Sequence, residues 1–190
     1  MRAGRRAAAR SDARVALLRG VNITATSTRV AMSDLRELFE GLGFRNVRTL
    51  LNSGNIVFST GSKGGDVLGR IEKALAAHVG RALPVIVLTG DEVVAAVEGN
   101  PLGAVANPSW LLVMVLKGAE DVARLKPLLE QRWTPEKLAV GERVAYLWCA
   151  KGVAKSPLGA AVDRALEKTG TARNIQTMTK LMAMVQEETS

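Results

Sequence analysis

LLNSGNIVF, residues 50–58, is the stretch whose reading decides the fold. Val47, Leu50 and Leu51 precede Ser53-Gly54, and Ile56, Val57 and Phe58 follow it. Apolar, β-branched and aromatic runs on both sides of a Ser-Gly pair signal a β-hairpin. Gly54 supplies the positive φ that such a turn often needs. Asn52 and Asn55 flank the bend. Asparagine is an ordinary turn residue because its amide bonds nearby backbone. The same two amides, with Ser53, are also candidate ligand-binding groups at a sheet edge.

The elements before and after the hairpin follow from periodicity. Residues 14–20, RVALLRG, form a short apolar run ending in glycine and read as a first strand. Residues 21–31 are Thr- and Ser-rich and read as a loop. Met32, Leu35, Leu38, Phe39 and Leu42 recur at helical spacing, with Ser33 as the expected cap. After the hairpin, Asp66 caps a second helix with Val67, Ile71, Ala74, Leu75 and Val79 on one face, and residues 83–88 make a fourth strand. The order β-α-β-β-α-β is the split βαβ, ferredoxin-like arrangement. Right-handed crossovers put strands one and three in the middle of the sheet. That gathers Arg19, Asn22, Asn52, Ser53 and Asn55 at one edge.

The second half repeats the pattern. Residues 91–98 read as a short helix and 99–109, GNPLGAVANPS, as a linker. A strand over 110–116 comes next, then a helix within 122–133 whose start Pro127 pushes towards Lys126, since an interior proline costs about 3 kcal/mol. A second hairpin spans 137–149 around Gly141. Ser156-Pro157 is a cap and first-turn pair. An extended piece over 172–176 leads to a terminal helix capped by Thr177, with Met178, Leu181, Met182 and Val185 inward. The fold class expected is therefore α+β: two tandem ferredoxin-like (βαββαβ) subdomains plus a C-terminal helix. The divisions are a disordered basic tail at 1–13, a first subdomain at 14–98, a linker at 99–109 and a second subdomain at 110–190.

Composition narrows the chemistry. The chain has 190 residues and a formal net charge of +8. Four arginines, Arg2, Arg5, Arg6 and Arg10, precede the first acid, so half of the excess belongs to the tail. Cys149 and His78 are single, which excludes an internal disulfide and the usual zinc ligand set. A Cys–His nucleophile pair is not expected between a helix residue and a core strand residue. The GSKGG loop at 61–65 lacks phosphate-loop spacing. No Ser-His-Asp pattern and no paired carboxylates stand out. The longest apolar runs fall far short of the roughly 20 residues of a spanning helix, and the Arg-rich start lacks the apolar core of a secretory signal. A cytoplasmic protein without membrane contact, metal or cofactor is expected.

Four segments carry a resemblance: VALLRGVN at 15–22, MSDLRELFEGLGF at 32–44, VRTLLNSGNIVF at 47–58 and GTARNIQTMTKL at 170–181. Together they resemble the bacterial family called domain of unknown function 1697, with matching spacing over 14–185. The resemblance implies two ferredoxin-like subdomains and supplies no activity. Where family members usually carry Gly-Gly and a lysine, this chain has Thr24 to Arg29. An aromatic after the Arg-Asn pair is replaced by Ile175.

The densest polar cluster of the second half is Arg173, Asn174, Thr177 and Lys180. Thr177 and Lys180 lie one helical turn apart, and a helix start beside basic residues is a natural anion site. The function expected is a small protein binding an anionic small molecule through Arg19, Asn22, Asn52, Ser53, Asn55, Arg173, Asn174, Thr177 and Lys180. This requires the hairpin bend and the Arg-Asn pair to be neighbours. The alternatives are a charge-driven nucleic-acid binder and an enzyme with a site between the halves. Stacking RNA recognition is disfavoured, because strand one has no aromatic and strand three only Phe58. Open sheet edges also leave homo-oligomerisation possible.

Overall fold

A computed structural model describes residues 12–21, 29–61 and 65–188. The tail before Asp12, Asn22 and Lys63 lie outside the described residues. The first half runs β1 (Ala13–Leu18), α1 (Met32–Gly41), β2 (Arg45–Leu50), β3 (Asn55–Ser59), α2 (Val67–Val79), β4 (Val85–Thr89) and α3 (Gly90–Glu98). The second runs β5 (Leu111–Val115), α4 (Ala119–Leu129), β6 (Lys137–Val140), β7 (Val144–Trp148), α5 (Pro157–Ala165), β8 (Thr171–Asn174) and α6 (Ile175–Glu187). Each half folds into a four-stranded sheet, ordered β2-β3-β1-β4 and β6-β7-β5-β8, with every neighbouring pair antiparallel. The class is α+β.

Alternation along each strand divides the core into three. Ala16 and Leu18 of β1 join Ile56 and Phe58 of β3 under Leu35 and Phe39 of α1 and Ile71 and Leu75 of α2. Phe39, Phe44 and Phe58 pack edge-on or tilted, with centroids 4.6–5.9 Å apart. In the second half Met114, Leu116, Ala145 and Leu147 lie under Leu125 of α4 and Leu158 and Val162 of α5. The opposite faces share one core: Val15, Leu17, Val57 and Leu88 join Val113, Val115 and Tyr146 around α3 and α6. Both faces of each sheet are thus covered, which is why β1 and β5 read as continuous apolar runs rather than alternating ones.

Three sequence expectations change at helix ends. The first helix begins at Met32 behind Ala31, with no side-chain cap, and the Ser33 hydroxyl donates instead to Asp34. Asn174, not Thr177, caps α6: its Oδ1 accepts the Thr177 amide at 2.8 Å. Asparagine at that place both ends β8 and starts the helix, whereas Thr177 is already inside the first turn. The fourth helix begins at Ala119, well before Lys126, and carries Pro127 in its last turn. Acidic Glu120 and Asp121 support its start. The caps at Asp66 and Ser156 are as expected, accepting from Gly69 and Gly159 at 2.8 Å each.

Polar links fasten the halves beyond the shared core. Arg48 on β2 pairs with Glu187 at 2.9 Å and Glu188 at 3.0 Å at the end of α6, and donates to the Met184 carbonyl. Asn46 adds a bond to Glu188 at 2.6 Å. On another side, Arg143 pairs with Glu92 of α3, and the Tyr146 hydroxyl donates to the Ala96 carbonyl at 3.0 Å. Burial pushes the Tyr146 hydroxyl's pKa up.

Candidate functional site

The hairpin tip is built by close approach. Gly54 has φ +71°, and a Cβ there would stand 2.6 Å from Val21 Cγ2 and 2.7 Å from Leu18 Cβ. Only glycine fits. Its carbonyl accepts the Leu18 amide at 2.8 Å, drawing the bend against the end of β1. Asn55 pairs in register with Leu17, whose side chain is in the shared core, so its amide also faces the second half. It is fully buried. Its Nδ2 donates to the Leu50 carbonyl at 2.8 Å and to Ser53 Oγ at 3.0 Å.

From the other half, Arg173 pairs with Val113, also a shared-core residue, so its side chain points at the hairpin. Its Nε donates to Asn55 Oδ1. One terminal nitrogen donates to Thr171 Oγ1 at 3.0 Å and the Ala172 carbonyl at 2.8 Å. The other reaches the carbonyls of Leu18 at 2.8 Å and Ser53 at 3.0 Å. All five N–H groups of the guanidinium therefore have acceptors, and every acceptor is neutral. Burial pulls its pKa down to about 10, so it stays charged at neutral pH.

Arg19, just past β1, crosses to α5. It donates to Asp163 at 2.6 Å and to the Gly170 carbonyl at 2.5 Å. Arg19, Asp163 and Arg173 border a cleft of about 670 Å³ between the halves. Its walls are mainly apolar, with Leu112, Met114, Leu147, Val153 and Ala160 among them, and Ser53 and Ser156 at its polar margins. Asp163 is the one carboxylate among the described lining residues. The amides at the start of α5 are occupied: Glu136 Oε2 accepts from Leu158 at 2.9 Å, and Ser156 Oγ from Gly159.

Of the residues singled out in the sequence, Arg19, Ser53 and Arg173 line the cleft, and Asn55 stands behind them holding Arg173. The bend and the Arg-Asn pair are neighbours. Asn174 and Thr177 form the α6 cap, while Asn52 and Lys180 are exposed and outside the lining. Asn22 lies outside the described residues. Sequence reasoning missed Asp163. The signal was present: Ser156, Gly159, Ala160 and Asp163 fall at i, i+3, i+4 and i+7, one face of α5. Cys149 is free and buried, and burial raises its thiol pKa; His78 sits near Asp34 instead, 3.8 Å away. Among the described residues no cluster of three or more His, Cys, Asp or Glu could hold a metal ion. No helix among them is long and apolar enough to cross a membrane.

Fold and cleft together define a class: a two-sheet α+β protein whose polar groups converge where its halves meet. Within that class the chain belongs to the family described as "Protein of unknown function (DUF1697)", whose model matches residues 12–146. The GTARNIQTMTKL segment that supplies Arg173 lies beyond the matched stretch. A search of curated proteins gave no match. Among solved structures, the chain is similar to one titled as a conserved bacterial protein from Streptococcus pneumoniae, at TM-score 0.77 and 20% identity. That alignment covers 92% of this chain and 98% of the other. It shows a shared fold.

Proposed function

We propose that this protein binds an anionic small molecule in the cleft between its halves, with Arg19 as the group that meets the anion. The observation that carries the reading is the charge balance of the lining: Arg19 and Arg173 against Asp163 alone, in a largely apolar site. Arg173 has no carboxylate partner among the described residues, and its depressed pKa marks a desolvated cation whose field is weakly screened. Its N–H groups are spent, so it contributes field rather than direct bonds. Arg19 keeps donors: two of its five N–H groups have acceptors among the described residues. A cleft of this volume falls within the ordinary range for small ligands, roughly 300–1,000 Å³. Thermal shift and calorimetry over small anions test the reading. Wild type is expected to bind and Arg19→Gln to lose at least about tenfold in affinity, as for one charge-assisted contact. Equal affinity in both proteins rejects it.

The same reading takes each half as a ferredoxin-like plait, supported by the strand order with the first and third strands of each half central. Residues 14–98 and 110–190 then act as the two subdomains, with 99–109 between them. A cytoplasmic location accords with a single free, buried thiol at Cys149.

A further inference from the structure

Resting on the proposed anion-binding cleft, we infer that its ligand is a monocarboxylic acid with an apolar body, and that Asp163 is a built-in competitor for Arg19. Three features select this class.

The first is the donor inventory. A phosphate group presents three oxygens and needs several convergent N–H groups, typically from a glycine-rich loop or a free helix start. Here the start of α5 is closed, because Leu158 and Gly159 already donate to Glu136 and Ser156. Arg173 is saturated. What remains is Arg19, whose planar fork pairs with two oxygens of a carboxylate or a phosphate, which satisfies a carboxylate in full and leaves a phosphate's third oxygen without a donor.

Charge is the second feature. With two arginines and one aspartate, the described lining carries a net charge of one positive unit. Attraction to that field grows in proportion to ligand charge, while the cost of removing the ligand's ionic head from water grows as its square. A single positive unit therefore favours a monoanion over a dianion.

Shape and surface supply the third. Beyond the Arg19–Asp163 pair, the wall continues over Leu112, Met114, Leu147 and Val153. The hydroxyls of the lining, Ser53, Ser156 and Thr171, are few beside these apolar side chains, and Ser156 and Thr171 already accept from Gly159 and Arg173, so an alkyl or alicyclic body suits the wall better than a sugar or base.

Asp163 already occupies Arg19 at 2.6 Å, so an incoming carboxylate exchanges one partner for another. Removing the negative charge strengthens binding under this scheme, a sign that mere structural packing does not produce.

The experiment is isothermal titration with hexanoate, octanoate and decanoate, alongside octyl phosphate and octylamine. Expected results are octanoate binding to wild type, at least about tenfold tighter binding to Asp163→Asn, and loss in Arg19→Gln, a step in keeping with one close charge pair. Octyl phosphate should bind at least about tenfold more weakly than octanoate, following the desolvation argument. Because Arg19→Gln also removes a link between the halves, Ala160→Leu provides an independent readout. It narrows the apolar wall without touching the ion pair, and should weaken decanoate more than hexanoate. Octyl phosphate binding as tightly as octanoate, in an Arg19-dependent way, overturns the carboxylate inference while leaving the anion cleft standing. Weaker octanoate binding by Asp163→Asn overturns the competitor role. Octylamine matching octanoate, or no anion binding at all, rejects both the inference and the cleft reading.

Discussion

Removing Arg173 should loosen the junction between the halves more than any other single polar change. Its guanidinium spans Asn55, Leu18 and Ser53 in the first half and Thr171 and Ala172 in the second. Hydrogen bonds to a charged group contribute about 1.5–3 kcal/mol each when made, and a buried acceptor left bare costs about 1–3 kcal/mol. Against this, truncation relieves the burial of a cation that has no counter-ion among the described residues, a cost visible in its lowered pKa. Balancing the terms, Arg173→Ala should destabilise by about 3–4 kcal/mol, from several neutral acceptors left bare less the relieved burial of the charge. Lysine keeps the charge but replaces a planar fork with a point donor, so Arg173→Lys should still cost about 2–3 kcal/mol. Urea unfolding measures both, and a midpoint shift of roughly 1–2 M is expected for the alanine variant. A double-mutant cycle with Asn55→Ala should return a coupling of at least about 1 kcal/mol. An alanine variant within about 0.5 kcal/mol of wild type, or additive effects in the cycle, would refute the view of Arg173 as the bond between halves.

Gly54→Ala should destabilise by about 2 kcal/mol or more, because a methyl meets Val21 and Leu18 where φ is already left-handed; thermal unfolding checks it. Arg48→Ala should cost about 1 kcal/mol and less in high salt, since the side chain is partly exposed; its denaturation midpoint in low and high salt is the measurement. Glu92 gives a pH effect. Burial raises its pKa, but the Thr89 amide, the Arg143 ion pair and the Thr89 hydroxyl outweigh this and hold it below 4.5. Its contribution is therefore present above the unfolded value and lost as pH falls through the folded one. Unfolding free energy should drop below about pH 4.5, and Glu92→Gln should flatten that part of the profile. Cys149 should resist a thiol reagent at pH 8 in the folded protein and react after denaturation, since burial both shields it and raises its pKa.

Much of the architecture was legible because it rests on local signals. Ser53-Gly54 between apolar runs marks a hairpin, and Asp66 and Ser156-Pro157 mark helix starts, whatever lies around them. Helix ends were harder where tertiary contacts override propensity. Met32 begins α1 with no capping side chain, and Pro127 is carried inside α4 at the loss of one backbone bond. The site divides the same way. Residue types and topology were enough to bring the bend and Arg173 together. They did not reveal that Arg173 spends its donors on neutral acceptors, since that depends on backbone carbonyls, which every residue carries. Asp163 was hidden for a related reason: a lone acid on an amphipathic helix looks solvated until a cation from another element meets it.

The shared core has a consequence for how the chain comes into being. Val15, Leu17 and Val57 share a core with Met178, Leu181 and Val185 of α6; α3 packs on β1 and β4, but α6, made much later, is the helix that meets both β1 and β3. At a synthesis rate of about 5–20 residues per second, the sheet that finishes near Thr89 waits roughly 5–20 s before Leu181 is made. During that interval the newborn first half shows a greasy face to everything around the ribosome. Whatever shelters nascent chains in the cell meets that face before the rest of the molecule can.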